Sequence, residues 1–273
     1  MKRAVLRRVL AGYFANDCPL AAAAIAYYVL LSVFPLILLI LTIGSLLLPA
    51  NLVERQVLEF ANQYVAGSRA TLRTVIKGVG QHSTSLSLLA LVGLVWSGMG
   101  IFGALRAALN QAYGIRDSRS FWHQRRLEIV FAVIIGGLFL FSSFVTWGID
   151  TVIVPNPHGG RLGLYFLRLA VGAGVAFAGF TLCYEMVPDS RRRTWPSSLK
   201  AAGIATVFFE IAKWIFLAWV SGVADYSLVY GTVGAVIVLL VWAYATASIL
   251  LLGGQLAREL DVREMGKVAA SNI

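Results

Sequence analysis

Charged side chains are scarce in this sequence: Asp, Glu, Lys and Arg make up 13% of 273 residues. Soluble domains carry about 25%. A soluble globular chain could not cover its surface with so little charge, and the 59% apolar content excludes a disordered chain. Cysteine is nearly absent. Cys18 and Cys183 stand far apart at apolar positions, too few for a disulfide framework or a cysteine zinc cage. Histidine is rarer than its chemistry needs: His82, His123 and His158 fall in separate connections, with no H-x-x-x-H or H-x-H spacing between them. Neither a G-x-S-x-G nor a phosphate-binding loop occurs. No catalytic residue, metal or cofactor is therefore expected, and the chain reads as a non-enzyme.

Long apolar runs are what the sequence has instead. Crossing a hydrocarbon core about 30 Å thick takes ~20 apolar helical residues. Six windows qualify: Ala22–Leu48, Thr84–Leu105, Leu127–Ile149, Gly163–Val187, Ser198–Val220 and Gly231–Gln255. Backbone groups in lipid must be satisfied internally, so each window is a helix or a strand of a closed barrel. Barrel strands alternate in polarity, whereas runs such as Ala235–Leu240 are apolar on every side. The expected fold is an all-α polytopic membrane protein with six transmembrane helices, forming one integral domain over 1–273. The basic residues before the first span do not make it a signal peptide, because its apolar run is nearly twice the usual h-region.

Orientation follows the basic residues. Sixteen of the 23 Lys and Arg lie at the N-terminus, in the second–third and fourth–fifth connections, and in the C-terminal tail. Five lie on the other side, and Arg168 and Lys213 fall inside spans. Both termini are thus expected in the cytoplasm of a bacterial inner membrane. The net charge of +10 is explained by orientation and anionic lipid, so nucleic acid is not an expected partner. Membrane lipids and a small or amphipathic solute are, and the sequence leaves room for a homo-oligomer.

Amphipathic segments fill the ends and one loop. Residues 3–14 set Val5, Leu6, Val9, Leu10 and Tyr13 on one face, an interfacial cytoplasmic helix within 1–18. Asn16 or Asp17 can cap the next helix, with Pro19 in its first turn. The outer loop 49–83 keeps helical spacing on both sides of Ala66-Gly67-Ser68, fitting two short helices on the bilayer surface or over a cavity. Arg106–Tyr113 continues the second helix with Leu105, Leu109 and Tyr113 inward, and 257–273 forms a cytoplasmic tail.

Several residues could carry chemistry. Glu210 and Lys213 lie one turn apart on one helical face near the bilayer middle. A lone charge there costs about 2.5–3.5 kcal/mol on insertion scales, so the pair must face the bundle or water. It is either a neutralised packing lock or a titratable carboxylate with a substrate-contacting cation. Polar residues in or beside spans, Tyr27, Ser32, Ser97 and Asn110, would line the same pathway. Gly98, Gly100 and Gly103 match G-x-G-x-x-G, but inside an apolar helix rather than after a strand, which excludes the dinucleotide fingerprint. Together with Gly231 and Gly234 they permit close helix packing, or else break the helix beside a cavity. Pro35 kinks the first span.

The stretches Ala26–Pro35, Trp96–Tyr113, Phe209–Trp214 and Tyr230–Gly254 resemble the YihY/virulence factor BrkB family, once labelled ribonuclease BN. The resemblance implies six-helix inner-membrane proteins with both ends cytoplasmic, and transport or lipid-related roles. It also implies two departures: relatives commonly carry a basic residue where this chain has Glu185, and often an acid where it has Gln255. The expected function is transport or translocation of an amphipathic or anionic solute, a lipid included. A non-catalytic envelope scaffold binding partners through the outer loop is the alternative, and a membrane-associated ribonuclease the weaker one.

Overall fold

The computed structural model describes residues 2–47, 83–115, 161–188, 195–223 and 227–271, with a few single positions between 126 and 138. Among them there is no strand. The continuous helices among the described residues are, in order, α1 (Lys2–Ala15), α2 (Cys18–Leu47), α3 (Ser83–Tyr113), α4 (Arg161–Met186), α5 (Trp195–Val223) and α6 (Ser227–Ser271). Long apolar windows sit in α3 to α6, at Leu91–Tyr113, Leu169–Met186, Trp195–Val220 and Val236–Glu264. The stretches Ala4–Ala15 of α1 and Cys18–Val33 of α2 meet the same length and composition test only when taken together, and the two are bent by 62° at the short break between them. The chain is an all-α membrane protein. The expected third span, Leu127–Ile149, and the outer loop 49–83 lie outside the described residues.

Helix ends follow local chemistry. Asp17 adopts a left-handed backbone, with φ of +48°, and its carbonyl accepts from the Ala21 amide to start α2. Aspartate tolerates that conformation better than most residues. The α3 terminus is a Schellman motif: Gly114 at φ +68° donates to the Gln111 carbonyl, and the Ile115 amide donates to that of Asn110. Leu105 and Leu109 are buried on this extension, as the sequence spacing requires. Pro196 enters the first turn of α5, where its missing amide goes unused.

Two compact units emerge. One comprises Met1–Ala23, Phe102–Leu217 and Ala245–Ile273; the other comprises Ala24–Ile101 and Ala218–Tyr244. Among the described residues, most buried apolar side chains belong to the first unit: Val9 and Tyr13 of α1, Leu109 of α3, Tyr184 of α4, Ala201 and Ala202 of α5, Leu251 and Ala257 of α6. Small residues dominate it because, without a hydrophobic drive between helices in lipid, association depends on close backbone approach. Large apolar side chains such as Phe208, Ile211, Trp214 and Ile215 point outward along α5, as an acyl-chain solvent allows.

The last helix runs further than hydropathy indicates. At 45 residues it is roughly 67 Å long, more than twice the hydrocarbon core. The apolar pattern ends near Gln255, yet the helix continues to Ser271 because its charged turns find partners. Arg8 donates to Glu259 at 3.0 Å, Arg263 to the same carboxylate at 3.3 Å, and Lys200 to Glu264 at 2.6 Å.

Candidate functional site: a charge pair in the middle of α5

Every third or fourth residue of α5 from Ala202 faces inward: Ala202, Ala205, Thr206, then Phe209 against Phe180 of α4. Glu210 and Lys213 continue this stripe. Their side chains keep 15% and 33% of their exposure, while their neighbours Phe208, Ile211 and Trp214 are exposed. The pair thus sits on the protein-facing side of the helix. Glu210 falls 15 residues past Trp195 and 10 before Val220, inside the membrane window. Lys213 Nζ approaches Glu210 Oε2 at 2.5 Å, one turn away. That contact neutralises charge without hydrogen-bond geometry, and both carboxylate oxygens are withdrawn from solvent with no hydrogen-bond donor among the described residues. Most buried side-chain polar atoms in folded proteins have at least one such partner.

The remaining expected pathway residues divide. Asn110 lies in the same unit as the pair, half-buried in the last turns of α3, and its carbonyl receives the Schellman bond. Tyr27, Ser32 and Ser97 belong to the other unit. Tyr27 is exposed and packs edge-on against Tyr28. The Ser32 hydroxyl donates to the Val29 carbonyl at 2.7 Å and that of Ser97 to Leu94 at 3.2 Å, so both are occupied by their own helices.

The glycines also divide. A Cβ at Gly100 would overlap the Tyr28 ring, and one at Gly93 would meet Pro35 Cγ at 2.9 Å. Close approach therefore occurs at Gly100 and at Gly93, the small residue that accommodates Pro35. At Gly98 and Gly103 an added Cβ would meet no described atom within 4 Å. Both lie a partial turn from the contacting face of α3. Pro35, Gly231 and Gly234 are inside continuous helices.

A second polar group escaped sequence reasoning. Gln255, 3% exposed, accepts from Asn16 Nδ2 at 3.3 Å and donates to Cys18 Sγ at 3.4 Å. Gly12 leaves room for it: a Cβ there would meet Gln255 Oε1 at 2.9 Å. Asn16 thus serves a tertiary contact with its side chain. One turn earlier, the Tyr184 hydroxyl donates to the Leu250 carbonyl at 2.9 Å and fills the space beside Gly253, while Leu109 fills that beside Gly254. The signal was the Gly253-Gly254 pair within an apolar helix. Thr246 and Ser248 of α6 and Glu185 of α4 add buried oxygens that have no hydrogen-bond partner among the described residues.

No three His, Cys, Asp or Glu side chains converge as a metal site among the described residues, and all three histidines lie outside them. The model of the family described as virulence factor BrkB matches residues 9–272. Relatives include the putative ribonuclease-like protein YfkH of Bacillus subtilis, 25% identical over 95% of this chain and 96% of its own length. UPF0761 membrane proteins of Acinetobacter baylyi and Chromohalobacter salexigens are 24% and 26% identical over 95% and 94% of this chain. The chain spans only 62% and 63% of those two proteins. No solved structure matches it.

Proposed function

The chain belongs to the virulence factor BrkB family of membrane proteins, and from that premise we propose that it moves or re-orients an amphipathic or anionic solute, a lipid included, across the bacterial inner membrane. Glu210 takes up a proton or cation during the cycle. Lys213 is its counter-ion and, when Glu210 is neutralised, a contact for the anionic group of the solute. Both termini face the cytoplasm, where the basic connections hold them. The protein acts without enzymatic chemistry.

One observation carries this reading: an ionisable pair in the middle of an apolar span, turned toward protein, whose carboxylate accepts no hydrogen bond among the described residues. Charges at such depth are expensive and mark pathways more often than they mark packing. The pair also has two states built in. With Glu210 ionised, Lys213 is neutralised by it; with Glu210 protonated, Lys213 is left as an uncompensated cation that attracts an anion. Alternation between these states gives a coupling of proton and anion that a fixed lock could not.

The test is flux in proteoliposomes. Fluorescent phospholipid scrambling and uptake of small organic anions are measured for wild type and Glu210→Gln. The variant, folded and equally reconstituted, is expected to lose most of the wild-type flux. Equal rates would remove Glu210 from the mechanism.

A further inference from the structure

Helix α1 divides its apolar residues between two faces. Val9 and Tyr13 are buried, Gly12 admits the Gln255 side chain, and Arg8 pairs with Glu259, so this side of the helix is fastened to α6. On the other side Leu6, Leu10 and Phe14 follow one another at a spacing of four, and all three are exposed, at 60%, 42% and 67%. Leu20, in the first turn of α2, is exposed as well. A soluble environment would not tolerate this ridge, and tertiary packing among the described residues does not cover it. The 62° bend at the α1–α2 break directs α1 away from the axis of the span that follows. The helix carries Lys2, Arg3, Arg7 and Arg8 and no acidic residue, and Arg7 is exposed.

We propose that α1 is a docking helix for the anionic surface of the bilayer, its Leu6–Leu10–Phe14 ridge seated among the acyl-chain ends and the exposed Arg7 on phosphate headgroups. The occupant is lipid rather than protein on two grounds. Basic residues unopposed by acid on the same helix complement an anionic leaflet, and a one-sided apolar ridge on a helix bent off a span matches the way interfacial helices lie about 5–10 Å deep at the headgroup boundary. Because the opposite face grips α6 beside Gln255, the lipid surface is mechanically joined to the long helix. This inference stands whether or not a solute crosses the membrane.

Labelling depth tests it in the full-length protein. Both native thiols are buried, so a fluorophore can be placed selectively through Phe14→Cys. The protein is reconstituted in phosphatidylcholine vesicles with or without phosphatidylglycerol, and the label is challenged with brominated acyl chains and with aqueous iodide. With phosphatidylglycerol present, bromolipid quenching should dominate and iodide should be largely excluded. Arg3→Gln with Arg7→Gln should shift the docked population toward iodide access, by roughly fivefold per charge removed, while leaving size-exclusion behaviour unchanged. A label that iodide reaches freely in both lipids would overturn the proposal. So would a lipid-buried label indifferent to phosphatidylglycerol and to the two arginines, or label-to-label energy transfer showing that a second copy covers the ridge.

Discussion

Two polar groups in the same unit, one on α5 and one on α6, are built on opposite plans. Around Gln255, donors and acceptors meet: Asn16 and Cys18 occupy the amide, and Tyr184 closes on the Leu250 carbonyl one turn away. Around Glu210 there is charge compensation and no hydrogen bond among the described residues. Satisfied buried networks rigidify a core and fix a unique packing, and an unpaired buried polar group adds cost without that gain. The Gln255 group therefore reads as the lock of the bundle and the Glu210 pair as its adjustable part. Swapping the neutral amide for a charge would spoil the first, whereas removing a charge should spoil the second.

The largest effect should come from separating the pair. Lys213→Met leaves Glu210 uncompensated in the span and should destabilise the protein by about 2.5–3.5 kcal/mol. Adding Glu210→Gln should recover most of that loss, and unfolding in mixed micelles for the four members of this cycle measures the coupling. A fixed packing lock would also lose stability in Lys213→Met, but its double variant would keep full flux.

The lock should break by crowding. Gly253→Ala drives a methyl group into the Tyr184 hydroxyl, which overpacking penalises by about 1–3 kcal/mol. Tyr184→Phe in the same background removes the obstructing oxygen and should relieve part of the penalty, although alone it loses the bond to Leu250. Thermal midpoints of the three variants decide this, and no relief would mean that the helices part rather than repack.

Much of this was legible beforehand, for reasons that differ by residue. Apolar run length located α3 and α5 within a turn or two, and the spacing of Leu105 and Leu109 foretold the α3 extension. Glu210 and Lys213 stood out because charge in an apolar window is rare. The lock did not stand out. Tyr184 and Leu250 are 66 residues apart, and a hydropathy window weighs neighbours in sequence. For the same reason α6 outran its apolar pattern, since Glu259 and Glu264 are held by Arg8 and Lys200 from other helices. Gly98 and Gly103 meet no described side chain, as a small-residue motif marks permission for close approach but not the approach itself.

The smallest effect belongs to the rim of the lock. Arg8→Gln removes an ion pair whose arginine is largely exposed, so its stability should fall by only about 0.2–1 kcal/mol and less at high salt. A larger loss would place Arg8 within the lock itself.

The central claim is that protonation at Glu210 sets the state of the pathway. Its most direct measurement is flux across reconstituted vesicles as a function of pH, for wild type beside Glu210→Gln. Wild type should show a rate that changes with pH, and the variant a lower rate that does not. Two superimposable profiles would contradict the account and leave the pair as a structural element alone.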